Sequence, residues 1–295
     1  MKLTRFTANE KESYGVQVDE NRILDLHALS QHLNRPLPPS LDNMVLLGEK
    51  GRRDIESLLK EADEKDKTKA LVPIGKAKPL APLFHPPKIV CLGLNYRDHI
   101  AEQNAVMPED LVLFMKPRTA VIGPDDIVVK PPFVSKLDYE AELAVVIGKK
   151  GKNISLEEVK QHVFGFTCFN DVSARDIQFK DKQWTRGKSF DTFAPIGPCI
   201  TTADQISDPN NLWIRTRVNG VTRQDSTTRN MVFNVYEIVH RLSQVMTLES
   251  CDVIATGTPA GVGFAMKPEP QFLDIDDVVE IEIENIGLLR NRIGR

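Results

Sequence analysis

Residues 138–148 read DYEAELAVVIG, and this stretch predicts a β-strand because apolar and β-branched residues dominate it. Side chains alternate between the two faces of a strand, so we expect Glu140 and Glu142 on one face, about 6–7 Å apart at the backbone. The opposite face carries an apolar stripe that consists of Tyr139, Ala141, Leu143, Val145 and Ile147. Neighbouring carboxylates repel each other unless a cation lies between them. Metal binding and a solvent-exposed acidic face are therefore both open interpretations.

A third acid follows the strand signal VFGFTCF of residues 163–169. If a helix begins near Val172, then Asp171, Arg175 and Gln178 lie on one face, at the spacing i, i+4, i+7. An acid, a guanidinium and an amide on one face suit an anionic ligand held beside a cation. The alternative is an N-capping Asp171 with a surface ion pair to Arg175. Three acids on rigid elements would form an oxygen site for Mg²⁺, with Mn²⁺ and Ca²⁺ as alternatives.

Strand signals dominate the chain after residue 82, and the further ones lie at residues 88–94, 212–218, 252–257 and 278–284. The pair Asn219-Gly220 predicts a hairpin turn. Helical signals are fewer: one short segment follows Asn95, and a longer apolar stripe consists of Val235, Ile238, Leu242 and Val245. This pattern predicts an α+β, mostly β fold rather than a doubly wound sheet.

The N-terminal part predicts a small α/β module. Alternation from Tyr14 to Leu26 indicates a hairpin, and an amphipathic helix is indicated by Ile55, Leu58, Leu59 and Ala62. Four prolines in residues 76–88, KAKPLAPLFHPPK, predict an extended connector. We therefore expect an accessory domain at residues 1–82 and a catalytic domain at residues 83–295.

Composition excludes several classes of protein. The 295 residues include 38 Lys and Arg against 41 Asp and Glu, a net charge of −3, which argues against a nucleic-acid-binding protein. No apolar run is long enough for a membrane helix, and residues 1–12 have no apolar signal segment. Four scattered cysteines indicate buried free thiols. We expect a cytoplasmic protein without nucleic-acid or membrane partners.

Nucleotide-binding and serine-hydrolase motifs are absent. A P-loop that ends at Gly187-Lys188-Ser189 would need a glycine at position 182, which is Lys182. The spacing of Gly257, Gly261 and Gly263 is not that of a dinucleotide fingerprint, and no G-x-S-x-G nucleophile motif occurs.

Six motifs together resemble the fumarylacetoacetate hydrolase family. In chain order they are GLNYRDH (93–99), DYEAELAVVIG (138–148), FNDVSARDIQ (169–178), GKSFDTFAPIGP (187–198), ATGTPAGVG (255–263) and VEIEIENIGLLRN (279–291). The resemblance covers about two-thirds of the chain. It implies a mixed β-roll with an N-terminal accessory region, a homodimer, and a divalent metal, usually Mg²⁺, bound by Glu140, Glu142 and Asp171.

His99 and Glu102 would share a face if their segment is a short helix, and a carboxylate beside an imidazole raises its basicity. The resemblance implies that this pair activates water on a mobile lid. It also implies that Lys188 stabilises an oxyanion or enolate, and that Arg175 and Gln178 contact substrate oxygens. The other five histidines match no family site and are expected to be structural: His27, His32, His85, His162 and His240.

Thr258 lies in the glycine-rich turn GTPAGVG of residues 257–263. We expect its hydroxyl and the backbone donors of this turn to bind a substrate carboxylate, because glycines let the backbone approach a ligand closely.

The leading hypothesis is a Mg²⁺-dependent hydrolase that cleaves the C–C bond of an acylpyruvate or related 2,4-dioxo acid. A metal held by three carboxylates would stabilise the enolate that this cleavage forms. Because decarboxylation of oxaloacetate and keto–enol tautomerisation each form an enolate of the same kind, either activity is the alternative. A non-catalytic scaffold is the third interpretation. Residues 104–109 are a candidate for the loop that selects the substrate.

Overall fold

The computed structural model describes residues 1–295, and strands outnumber helices, as predicted. The strands are Lys2–Ala8 (β1), Lys11–Gln17 (β2), Arg22–Asp25 (β3), Leu71–Pro73 (β4), Lys78–Leu80 (β5), Ile89–Gly93 (β6), Val112–Lys116 (β7), Val121–Ile122 (β8), Ile127–Val129 (β9), Leu137–Asp138 (β10), Ala141–Ile147 (β11), Val163–Asn170 (β12), Ser173–Ala174 (β13), Ala194–Thr202 (β14), Trp213–Val218 (β15), Val221–Thr227 (β16), Val253–Ala255 (β17), Val278–Ile283 (β18) and Gly287–Gly294 (β19). The helices are Leu26–His32 (α1), Leu41–Leu46 (α2), Glu49–Glu61 (α3), Glu64–Lys69 (α4), Arg97–Glu102 (α5), Val159–His162 (α6), Arg175–Gln178 (α7), Thr185–Lys188 (α8) and Val235–Val245 (α9).

Two mixed sheets and one short strand pair make up the β-structure. The large sheet has 12 strands in the order β4-β3-β2-β1-β14-β12-β11-β17-β6-β7, with β5 beside β1 and β8 beside β14. The second sheet has five strands in the order β16-β15-β18-β19-β9, and β10 pairs with β13. Three pairings are parallel, namely β6–β17, β8–β14 and β9–β19. The mixed β-roll expected from the sequence is confirmed.

Strand β11 is buried on both faces and separates two hydrophobic cores. Leu143, Val145 and Ile147 belong to a core shared with β15, β18 and α9, whereas Ala144 and Val146 belong to a core shared with α1, α2 and α3. The predicted apolar stripe is therefore confirmed. The alternative of a solvent-exposed acidic face is wrong, because the face that carries the glutamates is covered as well.

Most local predictions are confirmed. The N-terminal hairpin is β2–β3, and the amphipathic helix is α3. The turn between β15 and β16 places Asn219 and Gly220 at φ angles of 52° and 77°, a conformation that Asn and Gly adopt most readily. The prediction that Val245 belongs to the apolar stripe of α9 is wrong. Val245 is the last residue of the helix and is 67% exposed.

The N-terminal module shares the large sheet with the rest of the chain. Leu3 of β1 pairs with Ile200 of β14. The expected connector at residues 76–88 is more than a free linker. It contains strand β5, which pairs with β1 and belongs to the large sheet. The division at residues 82 and 83 stays a proposal, and the sheet is continuous across it.

All four cysteines are free and buried, as predicted. None of the helices combines the length and the apolar character that a membrane crossing requires.

Truncating Leu3 tests whether the module and the roll unfold together. Leu3 is fully buried, so we expect Leu3→Ala to lower the free energy of unfolding by about 2–5 kcal/mol. Both tryptophans, Trp184 and Trp213, lie outside the module. Because β1 pairs with β14, urea unfolding followed by tryptophan fluorescence and by far-UV circular dichroism should shift to the same lower midpoint.

The control is Val18→Ala, whose side chain is 46% exposed and which should change stability by less than about 0.5 kcal/mol. A circular dichroism transition that shifts while the fluorescence transition stays in place would contradict a shared cooperative unit.

Candidate active site

Three carboxylates converge where β11 meets β12. Glu142 lies on β11, Glu140 precedes the strand by one residue, and Asp171 directly follows β12. One oxygen of each carboxylate lies within 4.8 Å of the others. All three are buried, with exposures of 5% for Glu140 and 0% for the other two. The structure therefore brings the predicted ligand set together.

Backbone pairing explains why these acids meet. Ala141 of β11 pairs with Asn170 of β12, so the residues that flank this pair are neighbours. The Asp171 N–H donates to the Glu140 carbonyl at 2.9 Å, and the Glu140 N–H donates to Asn170 Oδ1 at 3.1 Å. Glu140 therefore lies outside the regular strand, where Asn170 fixes its backbone; the prediction that the strand includes Glu140 is wrong.

Two buried lysines contact the acids. Lys188 Nζ donates to Glu140 Oε2 at 2.8 Å and to Asp171 Oδ2 at 2.7 Å. Lys116 Nζ lies 2.7 Å from Asp171 Oδ1 and donates to three backbone carbonyls, those of Val172, Lys188 and Phe193. The sequence singled out Lys188 but missed Lys116, because no local spacing connects the end of β7 with Asp171.

Arg175 is the third buried cation. Its Nε donates to Asp138 Oδ2 at 2.9 Å, its Nη1 donates to Gln178 Oε1 at 2.8 Å, and its Nη2 lies 2.7 Å from Glu140 Oε1. Its guanidinium carbon also lies 4.5 Å from the centre of the Phe264 ring. Asp138 was not identified as a site residue from the sequence, although it is the first residue of DYEAELAVVIG.

The helix after Asp171 begins later than predicted. Ser173 and Ala174 pair with β10 as strand β13, so α7 begins at Arg175 rather than near Val172. Asp171 is therefore neither a helix N-cap nor the ion-pair partner of Arg175, and that alternative interpretation is wrong. Tertiary pairing, not helical periodicity, brings these side chains to one site.

The pKa values of the two buried glutamates are shifted in opposite directions. Burial opposes ionisation of Glu140, but the cations Lys188 and Arg175 outweigh it and lower the pKa of Glu140 to about 2. Burial, together with the negative charges of Asp171 and Glu140, raises the pKa of Glu142 well above its usual range. Without a bound cation, Glu142 therefore holds a proton more firmly than Glu140 does.

The donor set fits a hard divalent cation. Four buried carboxylates, including that of Asp138, face only three buried cations, namely Lys116, Arg175 and Lys188. Glu142 Oε1 is buried and has no hydrogen-bond donor. A buried, unpartnered carboxylate oxygen beside two further carboxylates is the arrangement in which Mg²⁺ or Mn²⁺ is favoured.

His99 and Glu102 form the predicted pair on the short helix α5. His99 Nδ1 lies 2.6 Å from Glu102 Oε1, and the other oxygen, Oε2, accepts from the Gly261 N–H at 2.9 Å. The second ring nitrogen, Nε2, lies 2.6 Å from the side-chain nitrogen of Gln103, a residue that sequence reasoning missed. Both ring nitrogens of His99 therefore have partners.

The glycine-rich turn organises acids of the protein. The Gly257 N–H donates to Glu142 Oε2 at 2.9 Å, and the Gly263 N–H donates to Asp138 Oδ1 at 2.7 Å, in addition to the contact of Gly261 with Glu102. Buried carboxylates accept from these three N–H groups, which are therefore not free for a substrate; binding of a substrate carboxylate by the other donors of the turn stays a prediction.

The Thr258 hydroxyl accepts from Gln224 Nε2 at 2.8 Å and is 4% exposed. It is therefore held in place by a buried amide. Its role toward substrate stays a prediction.

A cavity of about 200 Å³ joins these groups. Its polar lining consists of His99, Gln103, Glu140, Arg175, Gln178, Lys188 and Thr258. Its aromatic wall consists of Phe179, Trp184 and Phe264. The five histidines expected to be structural do not line it. Three acids lie directly behind this lining. Glu102 contacts His99, Asp171 contacts Lys188, and Glu142 accepts from the Gly257 N–H.

Asp138→Asn tests the buried pair with Arg175. Removing one partner leaves the Arg175 guanidinium short of a counter-charge, so we expect a loss of about 3–5 kcal/mol in the free energy of unfolding. The matched control is Asp225→Asn, because Asp225 pairs with Arg215 on an exposed face and the pair contributes less than about 1 kcal/mol. Denaturant unfolding measures both. Equal losses for the two variants would show that the buried pair has no special weight.

Comparison with known proteins places these features in a family. The family model "Fumarylacetoacetate (FAA) hydrolase C-terminal" matches residues 88–294. A curated relative, "Oxaloacetate tautomerase fahd2, mitochondrial" of Xenopus laevis, is 41% identical over 298 residues, which cover 99% of this chain and 90% of that protein.

Solved structures agree with this match over the whole chain. The fumarylacetoacetate hydrolase from psychrophilic Exiguobacterium antarcticum has a TM-score of 0.83 and 36% identity, and the match covers 100% of this chain and 99% of that one. The 2-hydroxyhepta-2,4-diene-1,7-dioate isomerase from Mycobacterium marinum has a TM-score of 0.76 and 32% identity, with coverage of 100% and 98%. The chain therefore belongs to the fumarylacetoacetate hydrolase family.

Proposed function

We propose that the protein is a divalent-cation-dependent keto–enol tautomerase of a compact 2-oxo dicarboxylic acid such as oxaloacetate. The observation that carries the proposal is the position of His99, oriented by Glu102, in the same small cavity as Lys188 and Glu140. In this proposal His99 is the base, and Lys188, which lines the same cavity, stabilises negative charge on a substrate oxygen. The curated relative named as an oxaloacetate tautomerase supports the choice of reaction.

The proposed cation ligands are Glu140, Glu142 and Asp171. When bound there, Mg²⁺ or Mn²⁺ supplies Lewis acidity toward the keto and carboxylate oxygens of a 2-oxo acid. The unpartnered Oε1 of Glu142 and the convergence of the three carboxylates support this assignment.

The cavity suits a small anionic substrate. Its volume of about 200 Å³ is below the roughly 300–1,000 Å³ typical of sites for drug-sized ligands. Arg175 uses Nε, Nη1 and Nη2 once each for protein partners, so its guanidinium retains further N–H donors for a carboxylate. The Gln178 amide and the Thr258 hydroxyl add polar groups to the cavity lining.

Proton transfer is assigned to His99. The carboxylate of Glu102 keeps the proton on Nδ1, which leaves Nε2 as the base. Enolisation moves the C3 proton of the substrate to Nε2, the electron pair of the broken C–H bond forms the C2=C3 double bond, and the proton then returns to the C2 oxygen. Lys188, whose pKa is raised because Asp171 and Glu140 outweigh its burial, stays an ammonium during this transfer.

C–C bond hydrolysis is the second candidate function. The His99–Glu102 pair could also activate water, and a hydrolase is among the close structural neighbours. Decarboxylation of oxaloacetate would form the enolate of pyruvate, as hydrolysis of an acylpyruvate would. A non-catalytic scaffold has the least support, because the acids, the base and the cations converge on one cavity.

A homodimer and a cytoplasmic location remain part of the proposal. The resemblance in sequence suggests the dimer, which light scattering on the purified protein would test. The Xenopus laevis relative is named as mitochondrial, so location in a native cell needs its own measurement.

Chelation and ligand substitution test the proposed function. EDTA treatment, or Asp171→Asn, should slow the conversion of enol-oxaloacetate to its keto form by at least about 100-fold, because Lewis-acid stabilisation is worth several kcal/mol. Mg²⁺ or Mn²⁺ should restore activity to the chelated wild type. The loss of ultraviolet absorbance of the enol measures the rate, and release of pyruvate and CO₂ in the same sample reports decarboxylation. Release of pyruvate from an acylpyruvate in a parallel sample reports hydrolysis.

The matched control is Glu157→Gln, since Glu157 is exposed and outside the cavity. Tautomerisation at full rate after chelation, or pyruvate release from an acylpyruvate without any tautomerase activity, would contradict the proposal.

A further inference from the structure

Gln103 occupies the ring nitrogen of His99 that the proposed reaction needs. Its side-chain nitrogen lies 2.6 Å from His99 Nε2, and the same nitrogen lies 3.4 Å from the His99 carbonyl oxygen. On the other side of the ring, Nδ1 lies 2.6 Å from Glu102 Oε1. The imidazole is thus held from both sides by consecutive residues.

The two contacts together select one tautomer of His99. A carboxylate only accepts hydrogen bonds, so Nδ1 carries the proton and Nε2 has the lone pair. An amide nitrogen only donates, so the Gln103 side chain donates to that lone pair. Both partners therefore favour the tautomer in which Nε2 is the basic nitrogen.

The geometry of α5 explains why Gln103 reaches the ring. Gln103 follows the last residue of the helix and keeps a near-helical conformation, with φ −91° and ψ −7°. It lies four residues after His99, the spacing at which side chains on one helix face are neighbours. Asn104 then turns the chain with a φ of 52°, so Gln103 is the last residue that can fold back over the ring.

The amide takes the place of the hydrolytic water. A water molecule activated by His99 would have to donate an O–H to Nε2, and the Gln103 amide already occupies that lone pair. A substrate bound through Arg175 and Lys188 is presented at high effective concentration and can exchange with one neutral hydrogen bond. A free water molecule has no comparable anchor at this position.

We propose that Gln103 is a positioning residue that fixes the tautomer of His99 and excludes water from Nε2, so that the site favours proton transfer within a bound 2-oxo acid over hydrolysis. This inference rests on the proposed tautomerase function and deepens it, because it assigns the choice between the two candidate reactions to one side chain. Gln103 acts through His99 and is not itself required to touch the reacting atoms.

The first arm of the test does not depend on activity. Protein labelled with ¹⁵N-histidine should give a long-range ¹H–¹⁵N spectrum in which His99 has its proton on Nδ1 and a hydrogen-bonded Nε2. In Gln103→Ala and in Gln103→Met, which fills space without a donor, the Nε2 resonance should move toward that of a free acceptor nitrogen. Gln205→Ala, at an exposed position far from His99 in the sequence, should leave it unchanged.

The second arm measures selectivity. The ratio of pyruvate release from an acylpyruvate to tautomerisation of oxaloacetate should rise roughly three- to tenfold in Gln103→Ala, as expected for the loss of one hydrogen bond. An unchanged Nε2 resonance, or an unchanged ratio when the resonance has moved, would overturn the inference. Wild-type protein without tautomerase activity would instead overturn the proposed function, and the spectrum would still decide whether Gln103 holds His99.

Discussion

The site depends on three carboxylates, those of Glu140, Glu142 and Asp171, that are buried within 4.8 Å of one another. Carboxylates removed from water are unfavourable unless cations and hydrogen bonds compensate them. Lys188 and its buried neighbours compensate Glu140 and Asp171. Glu142 lacks such a cation, and its pKa is raised as a result, first by burial and then by the neighbouring acids. Its requirement for a proton or a bound cation is what gives the site its proposed chemistry.

One loop connects the parts of the site. Backbone N–H groups of residues 257–264 donate to Glu142 in the acid cluster, to Glu102 behind the base, and to Asp138, which anchors Arg175. Gly261 has a φ of 104°, and a Cβ there would lie 2.1 Å from the Arg223 carbonyl oxygen, so only glycine fits. A shift of this loop would disturb the proposed metal ligand Glu142, the carboxylate that contacts the proposed base His99, and the anchor of Arg175 together.

Sequence reasoning worked where the signal was local. The alternation in β11 predicted its core face, and the spacing of His99 and Glu102 predicted a pair on a short helix. It failed where contacts between distant segments decide the structure. Because β13 pairs with β10, helix α7 begins at Arg175 and not near Val172. Lys116 contacts Asp171 from a separate strand, β7. Motif resemblance located the site, but it did not reveal the Gln103 contact with His99.

The most direct test of the central claim is diffraction from crystals grown with Mn²⁺ and measured at the manganese absorption edge. We expect one anomalous peak within about 2.0–2.3 Å of an oxygen from each of Glu140, Glu142 and Asp171, a distance typical of small divalent cations bound by carboxylates. Crystals in which that position has no anomalous density at saturating Mn²⁺, while the three carboxylates keep their lysine and backbone partners, would contradict it.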